Sequence, residues 1–184
     1  MRRRLFIALT LLLPLAGFAQ TATPSAGESG FDFLLGEWSL DVHVKVSGLA
    51  ALIHGTPKLS GTLKARRTPA GIEDELSIVD ASGNPRGATR SQRTFDAASA
   101  RWSITNTDTY HVRKGSAKAW REGDEMRVEA SYLEGDEKTL TRSRYFAISA
   151  DAFRFTQDRS RDNGVTWDEG TFAYDAKRIA AAKP

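Results

Sequence analysis

Residues 31–46 read FDFLLGEWSLDVHVKV, and this stretch decides the fold. A short apolar turn and a glycine lead into a run in which apolar and polar side chains alternate. One face carries the apolar set: Trp38, Leu40, Val42, Val44 and Val46. Because successive side chains of a strand point to opposite sides of a sheet, the pattern predicts a half-buried strand over a core.

Turn sequences recur about every ten residues after this strand. The predicted strands are 37–47, 58–67, 71–79, 88–96, 101–109, 116–121, 125–133, 138–148, 153–160 and 166–175. Short links favour antiparallel pairing of neighbours, and so many strands must close on themselves to remove unpaired edges. The sequence therefore predicts an all-β fold, an antiparallel up-and-down barrel of about ten strands. The apolar segment 47–57 predicts a short helix or lid after the first strand.

The first 19 residues have the pattern of a secretory signal peptide. Arginines at 2–4 precede an apolar segment that is short for a membrane span, and small residues follow. The expected organisation is a signal peptide over 1–19, a flexible leader over 20–29, a barrel domain over 30–178 and a tail over 179–184. The alternative is a retained membrane anchor. With no cysteine there is no lipid attachment or disulfide framework, and we expect a soluble periplasmic or secreted protein.

The charge balance argues against nucleic acid as a partner. The chain has 26 Lys+Arg and 23 Asp+Glu, a formal net charge of +3. The three arginines at 2–4 account for that surplus, so the exported product would be formally neutral. A nucleic-acid binder needs a basic surplus to neutralise phosphates. We also expect no membrane insertion once the signal peptide is removed.

Two motifs resemble those of a known family. The opener F-D-F-L-x-G-x-W ends at Trp38, and the turn S-x-D-x-G-x-T-W occupies residues 160–167. With the strands between them, they resemble a bacterial exported domain family of lipocalin-like type, related to the calycins and nitrobindin-like barrels. The resemblance implies a lipocalin- or fatty-acid-binding-protein-like barrel around a small hydrophobic ligand. It also implies that Trp38, after Gly36, closes the barrel floor beneath an arginine, for which Arg178 is the candidate.

The late turn is also similar to the Asp box of sialidase propeller blades. In such a turn Asp162 accepts hydrogen bonds from amides, Gly164 adopts a positive φ and Trp167 packs behind the loop. These boxes lie away from the catalytic centre in sialidases, and this chain is too short for a propeller. We therefore expect a structural role for the three residues.

Asp74 and Arg93 are the main candidates for a polar site inside the barrel. A hairpin centred on Gly83-Asn84 would set Asp74 opposite Arg93, both facing inward. A lone interior charge is costly, so we expect an ion pair. Interior arginines of fatty-acid-binding barrels hold ligand carboxylates, which makes Arg93, tethered by Asp74, a candidate ligand anchor. The alternatives are a bulge that turns Arg93 outward and a purely structural pair.

Other strands supply further candidates for the lining. Trp102 and Asn106 fall on the inner face of their strand. We expect Trp102 to belong chiefly to the core and Asn106 to be a second polar group of the lining. A two-residue turn at Gly123-Asp124 would set small residues against each other inside and leave space: Ala117 against Ala130, and Ala119 against Val128.

Strand 138–148 does not fit the same pattern. Regular alternation would bury a polar set and expose Leu140 and Phe146; that polar set is Thr139, Thr141 and Ser143, with Tyr145. We therefore expect a bulge in this strand, and the facing of Arg142 and Arg144 stays open.

The histidines and carboxylates form no recognisable catalytic or metal-binding pattern in the sequence. His43 falls on the outer face of the first strand, and neither His54 nor His111 has an obvious partner. Glu73 and Glu75 fall on the solvent face of their strand. We assign no catalytic residue, no metal ligand and no cofactor.

The expected function is non-catalytic binding of a small hydrophobic or amphipathic molecule inside the barrel. The alternatives are a haem-dependent or hydrolytic enzyme and an envelope interaction module with a filled core. A cavity of several hundred cubic ångströms would favour the binder, and one near zero the interaction module.

Overall fold

The computed structural model describes residues 29–46, 48, 52, 55–109, 113–134 and 137–181. The predicted signal peptide, nearly all of the leader, His54 and His111 lie outside the described residues, as does most of the predicted helix or lid. No described helix is long and apolar enough to cross a membrane.

The structure is a closed antiparallel barrel in which each strand pairs with the next and the last pairs with the first. A short 3-10 turn, Asp32–Leu34, precedes the barrel. The strands are β1 Gly36–Val44, β2 Leu59–Thr68, β3 Gly71–Asp80, β4 Pro85–Asp96, β5 Arg101–Asp108, β6 Arg113–Glu122, β7 Glu125–Glu134, β8 Glu137–Phe146, β9 Ala152–Ser160 and β10 Asp168–Ala180. The predicted ten-stranded up-and-down barrel is confirmed.

The last strand is longer than the sequence predicts. The predicted strand ends at 175, but β10 continues to Ala180. Trp38 of β1 lies opposite Arg178, and Asp41 opposite Asp175, so this extension closes the barrel. The pattern does not reveal the extension because few apolar residues alternate there. Ile179 therefore belongs to a strand and not to a tail.

The floor of the barrel is the end at which β1 begins. Trp38 and Phe31 are fully buried there and Phe153 almost so, at 0%, 0% and 1% exposure. The rings of Trp38 and Phe153 meet edge to face with centroids 4.7 Å apart, a geometry that adds about 0.5–1.5 kcal/mol to the burial itself. The Trp38 Nε1 donates to the Leu34 carbonyl at 2.7 Å and so fixes the 3-10 turn across the floor.

Arg178 covers the Trp38 ring at this end of the barrel. Its guanidinium carbon lies 4.0 Å from the centre of the Trp38 ring, within the range of a cation–π contact. Its Nη1 donates to the Leu35 carbonyl at 2.7 Å and its Nε to the Ala150 carbonyl at 2.5 Å. One side chain thus ties the entry of β1 to the loop between β8 and β9. This is the arrangement that the resemblance implied for Trp38 and Arg178.

Candidate ligand-binding cavity

A cavity of about 490 Å³ fills the other half of the barrel, from the middle of the strands to the rim where β3 turns into β4. Small and aliphatic residues form part of the wall, among them Leu63, Leu76, Ile104, Ala117 and Ala130. Aromatic rings form another part: Tyr145, Phe155, Phe172 and Tyr174. The remainder is polar, and the lining is therefore amphipathic.

Asp74 and Arg93 meet at the bottom of this cavity. Arg93 Nε lies 2.6 Å from Asp74 Oδ2, and Arg93 Nη2 lies 3.2 Å from Asp74 Oδ1. The Asp74 side chain is only 4% exposed and that of Arg93 only 6%. The expected inward ion pair is confirmed, and the alternative in which a bulge turns Arg93 outward is wrong.

The predicted register of this hairpin is wrong by two residues. Asp74 lies opposite Ser91, and Arg93 opposite Ile72, so the ion pair is diagonal. Two features accompany this register. The Asp80 side chain accepts hydrogen bonds from the amides of Ser82 and Asn84 and closes the turn earlier than expected, and the pairing then shifts by one residue between Val79 and Ile78. The long arginine side chain spans the offset because diagonal neighbours on one face remain within reach.

The ion pair makes the bottom of the cavity electrically balanced. Burial is the largest single influence on the pKa of Arg93 and acts to lower it, but the Asp74 carboxylate together with Tyr145 and Tyr174 raises the pKa overall. The guanidinium also lies over the Phe31 ring, 4.5 Å from its centre. Because Asp74 already takes up both Nε and Nη2, Arg93 presents a neutral pair to a ligand and not a free cation.

Two tyrosines stand beside this pair. Burial, and then the neighbouring Tyr145, raise the pKa of Tyr174 well above its usual value, so its hydroxyl stays protonated. The Tyr174 ring stacks on Phe155 at 4.8 Å and 11°. Tyr145 also meets Phe155, 4.8 Å away and edge to face. The three rings form an apolar wall beside the ion pair.

Strand β8 turns polar side chains toward the interior of the barrel. β8 pairs with β7 and β9 without a register shift, so the expected bulge is absent and that prediction is wrong. Thr139, Thr141 and Tyr145 are buried as regular alternation requires. On the outside, Arg142 pairs with Asp158 at 2.8 Å, and Arg144 lies 3.4 Å from Glu125. The wall tolerates Thr141 and Ser143 because it faces a cavity and not a packed core.

The hairpin between β6 and β7 has the predicted register. Ala117 lies opposite Ala130, and Ala119 opposite Val128. Both residues of the first pair line the cavity, together with Asn106 of β5. Trp102 does not: it lies at the floor, edge to face with Phe31 at 5.3 Å. The structure therefore separates Trp102, a candidate lining residue in the sequence, from the cavity.

Sequence reasoning missed the polar residues of β9. Alternation in this strand sends Phe153, Phe155, Gln157 and Arg159 inward, and the last three line the cavity. The same two-residue period that placed Asp74 could have identified Gln157 and Arg159. The Nε of Arg159 is buried and has no hydrogen-bond partner within the described part of the chain.

The late turn lies at the rim, between β9 and β10. The Asp162 carboxylate accepts from Ser160 Oγ at 2.7 Å and from the Thr166 amide at 2.9 Å. These bonds, that of the Thr166 side chain first, lower the pKa of Asp162 to about 2. Gly164 has a φ of 93°, and Trp167 lies beneath Arg142 with 4.5 Å between ring centre and guanidinium. The geometry is that of the turn the motif predicted.

The described residues offer little to a metal or haem. His43 is exposed on the outer face of β1, with its Nε2 3.8 Å from Asp41. Among residues of the described ranges, no group of three or more His, Cys, Asp or Glu side chains is placed to hold a metal ion.

Comparison of the chain with protein-family models yields no match, and comparison with curated proteins yields none either. The likeness to a lipocalin-like family therefore stays a prediction carried by the residues of the two motifs.

Proposed function

We propose that this protein binds a small amphipathic molecule inside its barrel, without catalysing a reaction on it. The observation that carries the proposal is the cavity of about 490 Å³ with its mixed lining. Ligand sites of soluble proteins typically occupy about 300–1,000 Å³ and combine apolar walls with a few polar groups. Such a volume is more than the alternative of a filled core requires.

The lining favours a molecule with an apolar body. Phe155, Phe172 and Tyr174 offer flat apolar surface along one side. Ala117 and Ala130 leave space beside the wall formed by β6 and β7, because a methyl side chain projects little into the interior. Burial of an apolar body would yield about 25 cal/mol for each Å² removed from water.

Membership of the lipocalin-like family and export from the cell belong to the same proposal. The first is supported by the Trp38–Arg178 contact over the barrel floor. The second is supported by the basic, apolar and small-residue order of residues 1–19. Cleavage after Ala19 would be visible in the intact mass of the protein recovered from its producing cell.

The test of binding uses two tryptophan variants of one strand. Ala130 faces the cavity, and its neighbour Ser131 is exposed on the outside. Ala130→Trp places an indole in the cavity, whereas Ser131→Trp adds the same group to the outer surface. The neutral fluorescent probe N-phenyl-1-naphthylamine reports binding in a titration of each protein.

We expect saturable one-to-one binding of the probe by the wild type and by Ser131→Trp. Ala130→Trp should lose at least about tenfold in affinity, because the cavity no longer admits the probe. Both variants must melt cooperatively for the comparison to count. Equal affinity of the two variants would place the probe outside the barrel and contradict the proposal.

A further inference from the structure

One arginine of the cavity wall lacks a counter-charge. Arg159 lies on the inner face of β9, one residue from the end of the strand, and lines the cavity near its rim. It is half-buried, and its Nε is buried with no hydrogen-bond partner among the residues described. An arginine stays charged at any physiological pH, so it cannot relieve the burial by losing its proton.

The acid that faces Arg159 across the sheet is engaged elsewhere. Asp168 lies opposite it on β10, but its Oδ1 binds Lys45 Nζ at 2.6 Å. That hydrogen bond is the largest cause of the lowered pKa of Asp168, and the charge of Arg159 contributes less. Asp168 therefore forms its ion pair with Lys45, and its interaction with Arg159 is weaker.

The remaining acids of the lining and of β9 are paired with other residues or lie on strands that do not adjoin β9. Asp158, the preceding residue, faces outward and binds Arg142 at 2.8 Å. Of the other acids in the lining, Asp74 is held by Arg93, and Asp108 belongs to β5, which is not a neighbour of β9.

Arg159 differs in this respect from most other arginines of the described strands. Most arginines of the described strands lie within ion-pair distance of a carboxylate: Arg66, Arg67, Arg86, Arg90, Arg93, Arg127, Arg142, Arg144 and Arg154. Arg159 makes no such pair in the part of the chain that the structure describes. A buried guanidinium N–H without a partner is costly, and an anion supplied from outside would offset that cost.

We propose that Arg159 binds the carboxylate head group of the ligand, and that the apolar body of the ligand extends from there toward Tyr174. This inference rests on the proposed function and names the class of ligand. Thr141 lies opposite Arg159 on β8, and Gln157 lies one step deeper on β9. Their polar groups flank the position that the carboxylate would occupy. A guanidinium fork matches the two oxygens of a carboxylate.

The assignment moves the anion site from Arg93 to Arg159. Arg93 is nearly fully buried and bound in two places by Asp74, so an added carboxylate would meet an already neutral pair. Arg159 is nearer to the rim, where a charged head group keeps part of its hydration. The ligand would therefore enter tail first.

The test compares dodecanoate with dodecanol, which have the same chain length and differ in the head group. Each displaces N-phenyl-1-naphthylamine from the wild type, from Arg159→Gln and from Arg161→Gln. Arg161 is the matched control, because it is an exposed arginine two residues further along the chain.

Arg159→Gln should weaken dodecanoate at least about tenfold, as expected for loss of one charge-assisted contact, and leave dodecanol within about twofold. Arg161→Gln should leave both unchanged. The melting temperature of ligand-free Arg159→Gln should not fall, since an uncompensated charge is removed. Arg159→Lys, which keeps the charge without the fork, should give an intermediate loss.

Unchanged dodecanoate affinity in Arg159→Gln, or an equal loss for both compounds, would overturn the assignment. Binding of dodecanol together with no binding of dodecanoate by the wild type would overturn it as well. In all three cases the proposed function survives, because the cavity still binds an amphipathic molecule. If the wild type binds neither compound nor the probe, the proposed function fails and the assignment fails with it.

Discussion

At the scale of single residues, the two interior arginines show how one side chain serves either structure or recognition. Arg93 is held by Asp74 on two nitrogens and lies on the Phe31 ring, so its bonds are made before any ligand arrives. Arg159 faces the same cavity with a buried donor still unpaired among the described residues. The first therefore organises the bottom of the cavity, and the second is the one proposed to bind.

Removing one partner of the Asp74–Arg93 pair should destabilise the fold strongly, whereas replacing both partners by apolar residues should change the free energy of unfolding little. Asp74→Ala leaves a buried positive charge and should lower the free energy of unfolding by about 3–5 kcal/mol. Asp74→Leu combined with Arg93→Met should be close to neutral, since no buried charge remains. Urea unfolding measures both.

The control is the next residue of the same strand. Glu75 lies 3.6 Å from Arg90, and both side chains are more than half exposed. Glu75→Ala should therefore change the free energy of unfolding by about 0–1 kcal/mol. A similar small effect of Asp74→Ala would mean that the buried pair contributes nothing to stability.

At the scale of elements, the register of a hairpin depends on the conformation of its turn. In two turns of this barrel, an aspartate side chain stabilises that conformation by accepting hydrogen bonds from backbone amides. Asp80 accepts hydrogen bonds from the amides of Ser82 and Asn84, and this turn, with the register shift between Ile78 and Val79, sets the β3–β4 pairing. Asp162 has the same role between β9 and β10, where it accepts the Thr166 amide. In such bonds the carboxylate accepts a backbone N–H and takes the place that a backbone carbonyl has in an ordinary turn.

The pKa of Asp162 offers a test of the second turn. It is about 2 in the folded protein, against an ordinary value of 3.8 for an aspartate side chain, with the Thr166 side chain as the largest cause. A lowered pKa means that the turn gains stability above the unfolded pKa and loses it as the pH falls through about 2. Thr166→Val should raise this pKa toward 3.8, as followed by NMR of the carboxyl carbon. An unchanged pKa in Thr166→Val would show that the hydroxyl is not the main cause.

At the scale of the whole molecule, alternation in the sequence is enough to predict the barrel but not its interior. The β6–β7 register follows from the two-residue turn at Gly123-Asp124, which admits little slippage. The β3–β4 register does not follow in the same way, because the contribution of Asp80 to its turn is a side-chain effect that spacing does not reveal.

The interior is harder to predict for a different reason. An inner face rich in Thr and Ser on β8 suggests a bulge, since a packed core excludes such residues. A cavity wall does not exclude them, because its groups have space or a ligand beside them. Whether Arg159 finds an ion-pair partner within the described chain depends on residues of the neighbouring strands. The alternation pattern of its own strand therefore cannot predict it.

The central claim is that a small amphipathic molecule occupies the interior of this closed barrel. An amide NMR titration with N-phenyl-1-naphthylamine tests it most directly, because it gives both stoichiometry and location. We expect one-to-one saturation, with the largest shifts at inward-facing residues of the cavity such as Ala117, Ala130 and Phe155. Shifts confined to outward-facing residues such as Ser131, or the lack of saturation, would contradict the account.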